Sequence, residues 1–156
     1  MKTINTWLEE YGESHKNPTN KMVHWICVPI IFWTITALFW SIKLPVELQP
    51  GLKLNGAIIA AALIFGYYLT LSFTLSIGLL LFTSACLFMS YTVEANFTLL
   101  PLWAVAVIAF VLAWIGQFWG HGVEGKKPSF FKDIQFLMIG PAWLMSFIYQ
   151  KMGIKY

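Results

Sequence analysis

Three histidines are the residues of this chain whose type and position most directly suggest chemistry. His15 and His24 lie nine positions apart at the threshold of a long apolar run, and His121 follows far downstream. Neutral imidazole is a common ligand of transition metals. Three such rings could hold one metal ion if the fold brings them together. The alternative is that each histidine is a hydrogen-bonded anchor at a membrane interface.

The composition indicates that this fold lies in a membrane. The chain is 58% hydrophobic and 11% charged, whereas roughly a quarter of the residues of a soluble domain are charged. Forty residues without a charge separate Lys53 from Glu94, about twice the ~20 apolar residues that a helix needs to cross a bilayer. The sequence therefore predicts an all-α, polytopic membrane bundle that forms a single domain over residues 1–156.

Four to five transmembrane helices are predicted, at about 22–42, 54–71, 75–93, 99–119 and 134–149. The uncharged stretch is divided at the polar cluster Ser72, Thr74 and Ser76, and Pro101 suits the start of a helix. The last run is short and contains Gly140-Pro141. It is therefore a short or kinked fifth span, or a re-entrant or interfacial helix.

The N-terminal segment is predicted to be an amphipathic helix rather than a signal peptide. Its acidic residues stand where a signal peptide would be positively charged. Apolar residues recur at helical spacing, at Ile4, Trp7, Leu8 and Tyr11. The helix either lies in the membrane interface or packs against the rest of the protein.

The number of crossings decides whether the histidines can meet. If four helices lie between His24 and His121, both residues emerge on the same membrane face as His15. This holds although 97 positions separate His24 from His121. The lysines give the orientation of that face, since the chain has no arginine. Six lie on the histidine side and four on the other: Lys2, Lys16, Lys21, Lys126, Lys127 and Lys132 against Lys43, Lys53, Lys151 and Lys155. The positive-inside rule then places the histidine face in the cytoplasm.

Asn17-Pro18 is predicted to break the chain between the first two histidines. Asparagine is a favoured helix N-cap, and proline suits the first helical position. His24 would then lie about two turns inside a new helix, with His15 before its start and able to fold back over it. Asn20 would lie in the first turn, where it could hydrogen-bond a histidine ring and fix its tautomer.

Polar residues near His121 are further candidates for the site. Gln117 lies one turn before it and Glu124 three residues after it, and either could bind a metal or hydrogen-bond a ligand. Gly120 and Gly122 flank it, which permits close approach of the backbone or a positive φ. Lys126 and Lys127 would suit the carboxylate of an amphiphile whose tail lies in the bilayer, or simply contact lipid headgroups.

Two motifs carry a resemblance to a known family. The first is His15-x-Asn17-Pro18-x-Asn20-x-x-x-His24-x-x-x-x-Pro29. The second is Gln117-Phe118-x-Gly120-His121-Gly122 with Lys-Lys-Pro at 126–128. Both are similar to motifs of the 2-hydroxy fatty acid dioxygenase family of fatty-acid alpha-oxidation, and the similarity runs over nearly the whole chain.

The resemblance implies an iron(II)-dependent, multi-pass membrane enzyme of the bacterial inner membrane or the endoplasmic reticulum. Such an enzyme uses O2 to shorten a long-chain 2-hydroxy fatty acid by one carbon, releasing CO2, and in eukaryotes this serves phytosphingosine breakdown. Here the iron ligands and catalytic residues would be His15, His24 and His121. Asn17 and Asn20 would orient them, and Lys126 or Lys127 would meet the substrate carboxylate.

Other functions remain open at this point. A zinc-dependent membrane lipid hydrolase would also use three histidines and a glutamate, with a zinc-activated water. A non-catalytic lipid-binding or scaffold protein would tolerate loss of the histidines. A transporter is disfavoured because the uncharged stretch lacks the polar pathway that transport needs. Membrane lipids are expected partners, a homo-oligomer is left open, and no nucleic acid is expected.

Overall fold

A computed structural model describes residues 2–125 and 136–156. Six helices make up most of this part of the chain, and a small two-stranded sheet lies between the second and the third. The helices are α1 (Ile4–Gly12), α2 (Pro18–Trp40), α3 (Gly56–Leu71), α4 (Phe73–Asn96), α5 (Leu102–Glu124) and α6 (Ile139–Lys151), and the strands are β1 (Lys43–Gln49) and β2 (Leu52–Asn55).

Three of the described helices, α2, α4 and α5, are long and apolar enough to cross a membrane. Helix α3 has 16 residues and is therefore only about 24 Å long at 1.5 Å per residue, slightly shorter than the ~30 Å hydrocarbon core of a bilayer. The predicted membrane helical bundle is thus supported in its coarser form. The count of four to five crossings stays a prediction.

The predicted breaks of the chain coincide with helix caps. The side chain of Asn17 accepts a hydrogen bond from the Thr19 N–H at 2.8 Å, with Pro18 as the first helical residue. Ser72 ends α3 in an extended conformation and caps α4 by accepting from the Leu75 N–H. Both caps satisfy backbone donors that a helix start leaves without intrahelical partners.

The antiparallel hairpin of β1 and β2 corrects the all-α prediction. Its two strands are joined at Pro50-Gly51, where Gly51 has a φ of 80° that glycine adopts without steric cost. On the neighbouring helix end, Glu94 accepts hydrogen bonds from Trp40 Nε1 and Lys43 Nζ, both at 2.8 Å. These bonds tie the end of α2 and the start of the hairpin to α4, at the end of the bundle opposite to the histidines.

Helix α5 packs closely on α2 through two glycines spaced four apart. A Cβ on Gly116 would lie 2.9 Å from Cys27 Sγ, and one on Gly120 would lie 2.5 Å from Asn20 Oδ1. Small residues at this spacing let membrane helices approach closely where a larger side chain would hold them apart. The contact brings the beginning of α2 to the end of α5.

Helices α1 and α6 cover the histidine end of the bundle. The apolar face of α1, with Ile4, Leu8 and Tyr11, is buried against α6, which matches the alternative of a helix packed on the rest of the protein. Helix α6 has 13 residues and a length of about 20 Å. It ends where Tyr149 Oη donates to the Thr74 carbonyl in the first turn of α4.

The start of α6 lies deeper in the bundle. Leu137, just before it, packs against the cluster that contains Ile31 and Trp114, and Ile31 lies two turns beyond His24. Helix α6 therefore runs from inside the bundle back to the histidine end. Lys151 at its end therefore lies on the histidine side, and the choice between a short span, a re-entrant helix and an interfacial helix stays a prediction.

Candidate metal centre

The three histidines meet at one end of the bundle. Their ring centroids are 4.1 Å apart for His15 and His24, 5.0 Å for His24 and His121, and 5.3 Å for His15 and His121. All three side chains are buried, with exposed fractions of 3%, 1% and 3% respectively. One ring nitrogen from each lies within 4.8 Å of the other two. The predicted convergence is thus a feature of the fold.

Backbone carbonyls fix the tautomer of two of these rings. His15 Nδ1 lies 2.6 Å from the Tyr11 carbonyl oxygen, and His24 Nδ1 lies 2.9 Å from that of Asn20. Since a carbonyl can only accept, each Nδ1 carries the proton and the lone pair of the ring is on Nε2. Metal-bound histidines commonly use their second nitrogen in this way.

The residues present fit a metal ion. His121 Nε2 is buried and has no hydrogen-bond partner among the described residues, although a buried polar nitrogen normally has one. Two imidazole nitrogens bound to one ion at ~2.1 Å each lie at most ~4.2 Å apart. The three nitrogens, within 4.8 Å of one another, are close to that separation. This donor set suits iron, zinc or copper.

His121 lies inside α5, not just past its end as the sequence suggested. The helix continues to Glu124 and is closed by Gly125 in the left-handed conformation, with a φ of 72°, a common helix ending. Gly120 makes the predicted close approach to α2, whereas a Cβ on Gly122 would meet nothing within 4 Å. Neither glycine has a positive φ.

Glu124 binds the segment that carries His15. Its carboxylate accepts hydrogen bonds from the backbone N–H groups of Lys16 and Asn17 at 3.0 and 2.8 Å, and from Asn20 Nδ2 at 3.2 Å. Asn20 Nδ2 also donates to the Ser14 carbonyl at 3.1 Å. These bonds join the end of α5 to the linker between α1 and α2.

The predicted supporting residues therefore act in different ways. Asn20 contacts the His24 ring through its backbone carbonyl, and its side chain holds the linker. Asn17 caps α2. Gln117 is buried and lies beside His24. Lys126 and Lys127 lie outside the described residues.

Two aromatic residues that the sequence did not suggest for the site surround His15. The Tyr11 ring stacks on the His15 ring, with centroids 4.3 Å apart and planes 9° from parallel. Trp143 of α6 lies 5.3 Å from His15 and 5.2 Å from Tyr11, centroid to centroid. In the sequence, this contact was indicated by the spacing of four residues between Tyr11 and His15. It places the tyrosine one helical turn before the histidine.

Comparison with known proteins agrees with this arrangement. The chain is 27% identical over 145 residues to a protein of Saccharomyces cerevisiae named 2-hydroxy-palmitic acid dioxygenase MPO1, covering 92% of this chain and 78% of the yeast protein. No solved structure matches the chain significantly. Residues 1–152 match the family described as 2-hydroxy-palmitic acid dioxygenase Mpo1-like. With its three buried histidines gathered at one end of an apolar helical bundle, this chain belongs to the Mpo1-like family.

Proposed function

We propose that the protein is an iron(II)-dependent membrane dioxygenase that shortens long-chain 2-hydroxy fatty acids by one carbon. The observation that carries the proposal is the cluster of His15, His24 and His121 in a chain whose family is described as a dioxygenase. The overall reaction consumes one O2. Carbon 1 of the substrate leaves as CO2, carbon 2 becomes the new carboxyl group, and the remaining oxygen is released as water.

The three histidines would hold the iron through one ring nitrogen each. A ferrous ion bound by imidazoles would supply the O2 chemistry and leave coordination positions for the substrate's hydroxyl and carboxylate groups. The chain fixes the rings beforehand, through the carbonyls of Tyr11 and Asn20. Ligands held in place by such outer contacts bind metal more tightly.

The surroundings of the cluster suit chemistry that must exclude water. All three imidazoles are buried, and Tyr11 and Trp143 pack around His15. We assign Lys126 or Lys127 as the partner of the substrate carboxylate, because both follow closely on the end of α5 that carries His121. The histidine end would face the cytoplasm, in the bacterial inner membrane or the endoplasmic reticulum.

The position of Glu124 favours a dioxygenase over a zinc hydrolase. A zinc hydrolase of this kind needs a carboxylate as general base beside the metal-activated water. The Glu124 carboxylate is instead engaged by three N–H donors of Lys16, Asn17 and Asn20. Within residues 2–125 and 136–156, the metal-ligating group contains histidines alone.

Metal analysis with a product assay tests the proposal. The protein is purified in detergent without oxygen, its metals are measured by elemental analysis, and 2-hydroxypalmitate and O2 are added. Near-stoichiometric iron and pentadecanoic acid as product are expected, with both lost in His24→Ala and His121→Ala. Thr34→Ala is the matched control, because Thr34 is fully buried on the same helix as His24 but ten residues further along.

Other results would redirect the assignment. Stoichiometric zinc, with ester or amide cleavage in place of oxidation, would establish the hydrolase. Protein without metal, and histidine variants that behave as the wild type, would leave a lipid-binding or scaffold role. If both histidine variants retain iron, His24 and His121 do not bind the metal.

A further inference from the structure

An apolar cavity of about 190 Å³ lies between α2, α3 and α4, outside the metal centre. Phe32 and Phe39 line it from α2, and Ala57, Ala61 and Ile64 line it from α3, while Leu137 lines it from the segment before α6. The hydroxyl of Thr36, also in its wall, donates to the Phe32 carbonyl at 2.9 Å. That hydroxyl therefore offers no donor to a ligand. Cavities with apolar walls stay dry and take apolar guests.

A second, smaller cavity of about 30 Å³ has in its wall residues that neighbour the histidines. Tyr11, which stacks on His15, and Gln117, which lies beside His24, are in its wall. Leu137 lines both this cavity and the larger one. Leu137 is thus the residue that the walls of the two cavities share.

The two cavities follow one another along the bundle. The smaller one is bordered by Val28 and Ile31, one and two turns beyond His24. The larger continues from Phe32 to Phe39, a distance of about 10 Å along the helix. The two cavities thus lie in sequence from the histidine end towards the opposite end of the bundle, with Leu137 in the walls of both.

We propose that these two cavities hold the alkyl tail of the substrate, with the carboxylate end at the histidines and the tail in the cavity between α2 and α3. The inference rests on the proposed function and adds the residues that select chain length. The alanines of α3 create the space, because any larger side chain at Ala57 or Ala61 would occupy it. An empty apolar space leaves its lining atoms without contacts, and a methylene chain supplies them.

Filling the cavity tests this assignment. Ala61→Leu places a branched side chain inside it, whereas Ala62→Leu, one residue further on, faces outward and is the matched control. Turnover is measured from 2-hydroxyoctanoate to 2-hydroxystearate. We expect Ala61→Leu to lower kcat/KM for the longest acids about tenfold or more, with the shortest acids and the control unchanged. An active Ala61→Leu protein with the wild-type chain-length profile would overturn the proposal.

A binding measurement on metal-free protein separates this proposal from the reaction. A 2-hydroxy fatty acid with a diazirine on its terminal carbon is photolysed with the wild type, and labelled peptides are mapped by mass spectrometry. Label within residues 57–64 that excess 2-hydroxypalmitate displaces is expected. Label there that only a phospholipid displaces would mean that the cavity holds a lipid chain instead, and label elsewhere would remove the tail from the cavity.

The two failures are distinguishable. A wild-type protein that labels at residues 57–64 but converts no 2-hydroxy acid would contradict the dioxygenase and keep the alkyl-chain site. A protein that converts these acids but is labelled elsewhere would support the dioxygenase and contradict the alkyl-chain site. The labelling of the wild type shows whether the alkyl tail lies in the cavity, even if Ala61→Leu does not fold.

Discussion

Gly120 of α5 lies against the side-chain oxygen of Asn20 on α2, so close that a Cβ at position 120 would be 2.5 Å from Asn20 Oδ1. This contact sets the distance between the two helices that carry His24 and His121. Among the glycines of the chain, an added Cβ would make its closest contact at this position.

Gly120→Ala is therefore expected to push the helices apart. Overpacking of this kind costs about 1–3 kcal/mol, and we expect a lower melting temperature in detergent together with weaker iron binding. Gly122→Ala is the control, because a Cβ there meets nothing within 4 Å and alanine favours a helix by about 0.5–1 kcal/mol over glycine. Equal iron affinity in the two variants would contradict the role given to the contact.

Glu124→Ala should loosen the segment that carries His15. The substitution removes the acceptor of three hydrogen bonds to Lys16, Asn17 and Asn20. Loss of contacts that support metal ligands typically lowers affinity ~10–100-fold, and we expect the lower end because Glu124 holds the linker rather than a histidine ring. Anaerobic iron titration and hydrogen exchange of the Lys16 and Asn17 amides measure the two effects.

Glu94→Gln is the control for that experiment. Glu94 also ends a long helix and accepts two hydrogen bonds, but it lies at the opposite end of the bundle. Its ion pair with Lys43 is partly exposed, and such pairs contribute ~1 kcal/mol or less. Iron affinity should be unchanged. Slow amide exchange at Lys16 in the Glu124→Ala protein would show that the linker is held by something else.

Tyr11→Ala removes the ring that stacks on His15. Aromatic pairs contribute about 0.5–1.5 kcal/mol beyond the area that they bury, so we expect a several-fold loss of iron affinity. Trp7→Ala is the comparison, since Trp7 lies on the same helix and packs on Phe136 rather than on a histidine. The two variants are compared under conditions in which their melting temperatures are equal. If Trp7→Ala then loses as much iron affinity as Tyr11→Ala, the result argues against a specific role of Tyr11.

Removal of the metal should lower the stability of the wild type. A ligand at one hundred times its Kd stabilises the folded state by ~2.7 kcal/mol. Ferrous iron should therefore raise the melting temperature of chelator-treated protein, and His121→Ala should abolish the increase, because it removes one of the three ligands. An equal increase in wild type and His121→Ala would place the iron elsewhere.

The histidine cluster was predictable because it follows from counting helices. Division of the uncharged stretch at Ser72 gives an even number of passes between His24 and His121, and the structure breaks the helix at that residue. The caps at Asn17 and Ser72 were likewise readable from residue type. These features depend on local chemistry and on chain direction, both of which the sequence contains.

The hairpin was missed although its signals were present. Leu44, Val46 and Leu48 alternate with other residues in a strand-like pattern before Pro50-Gly51, a pair typical of a tight turn. The apolar runs on either side obscured this short segment. The closure of α5 at Gly125 was missed for a similar reason, because the end of the hydrophobic stretch is not the end of the helix.

The contacts of Glu124 could not be predicted. The sequence placed this carboxylate one turn from His121. It did not show whether the carboxylate would point to the metal or to the linker at residues 16–17. That choice depends on how α5 rotates about its axis, which the close contact at Gly120 decides. The packing of α6 inside the bundle also depends on such tertiary contacts.

The dependence of the metal centre on the contact between α2 and α5 has a consequence for biosynthesis. His24 and His121 lie 97 positions apart, so a nascent chain exposes the first two histidines long before the third is translated. Only when α5 has left the ribosome, entered the membrane and packed on α2 do all three rings surround one point. Under the proposed function, iron loading would therefore report that this packing is complete, and a chain stalled before Gly116 should emerge without iron.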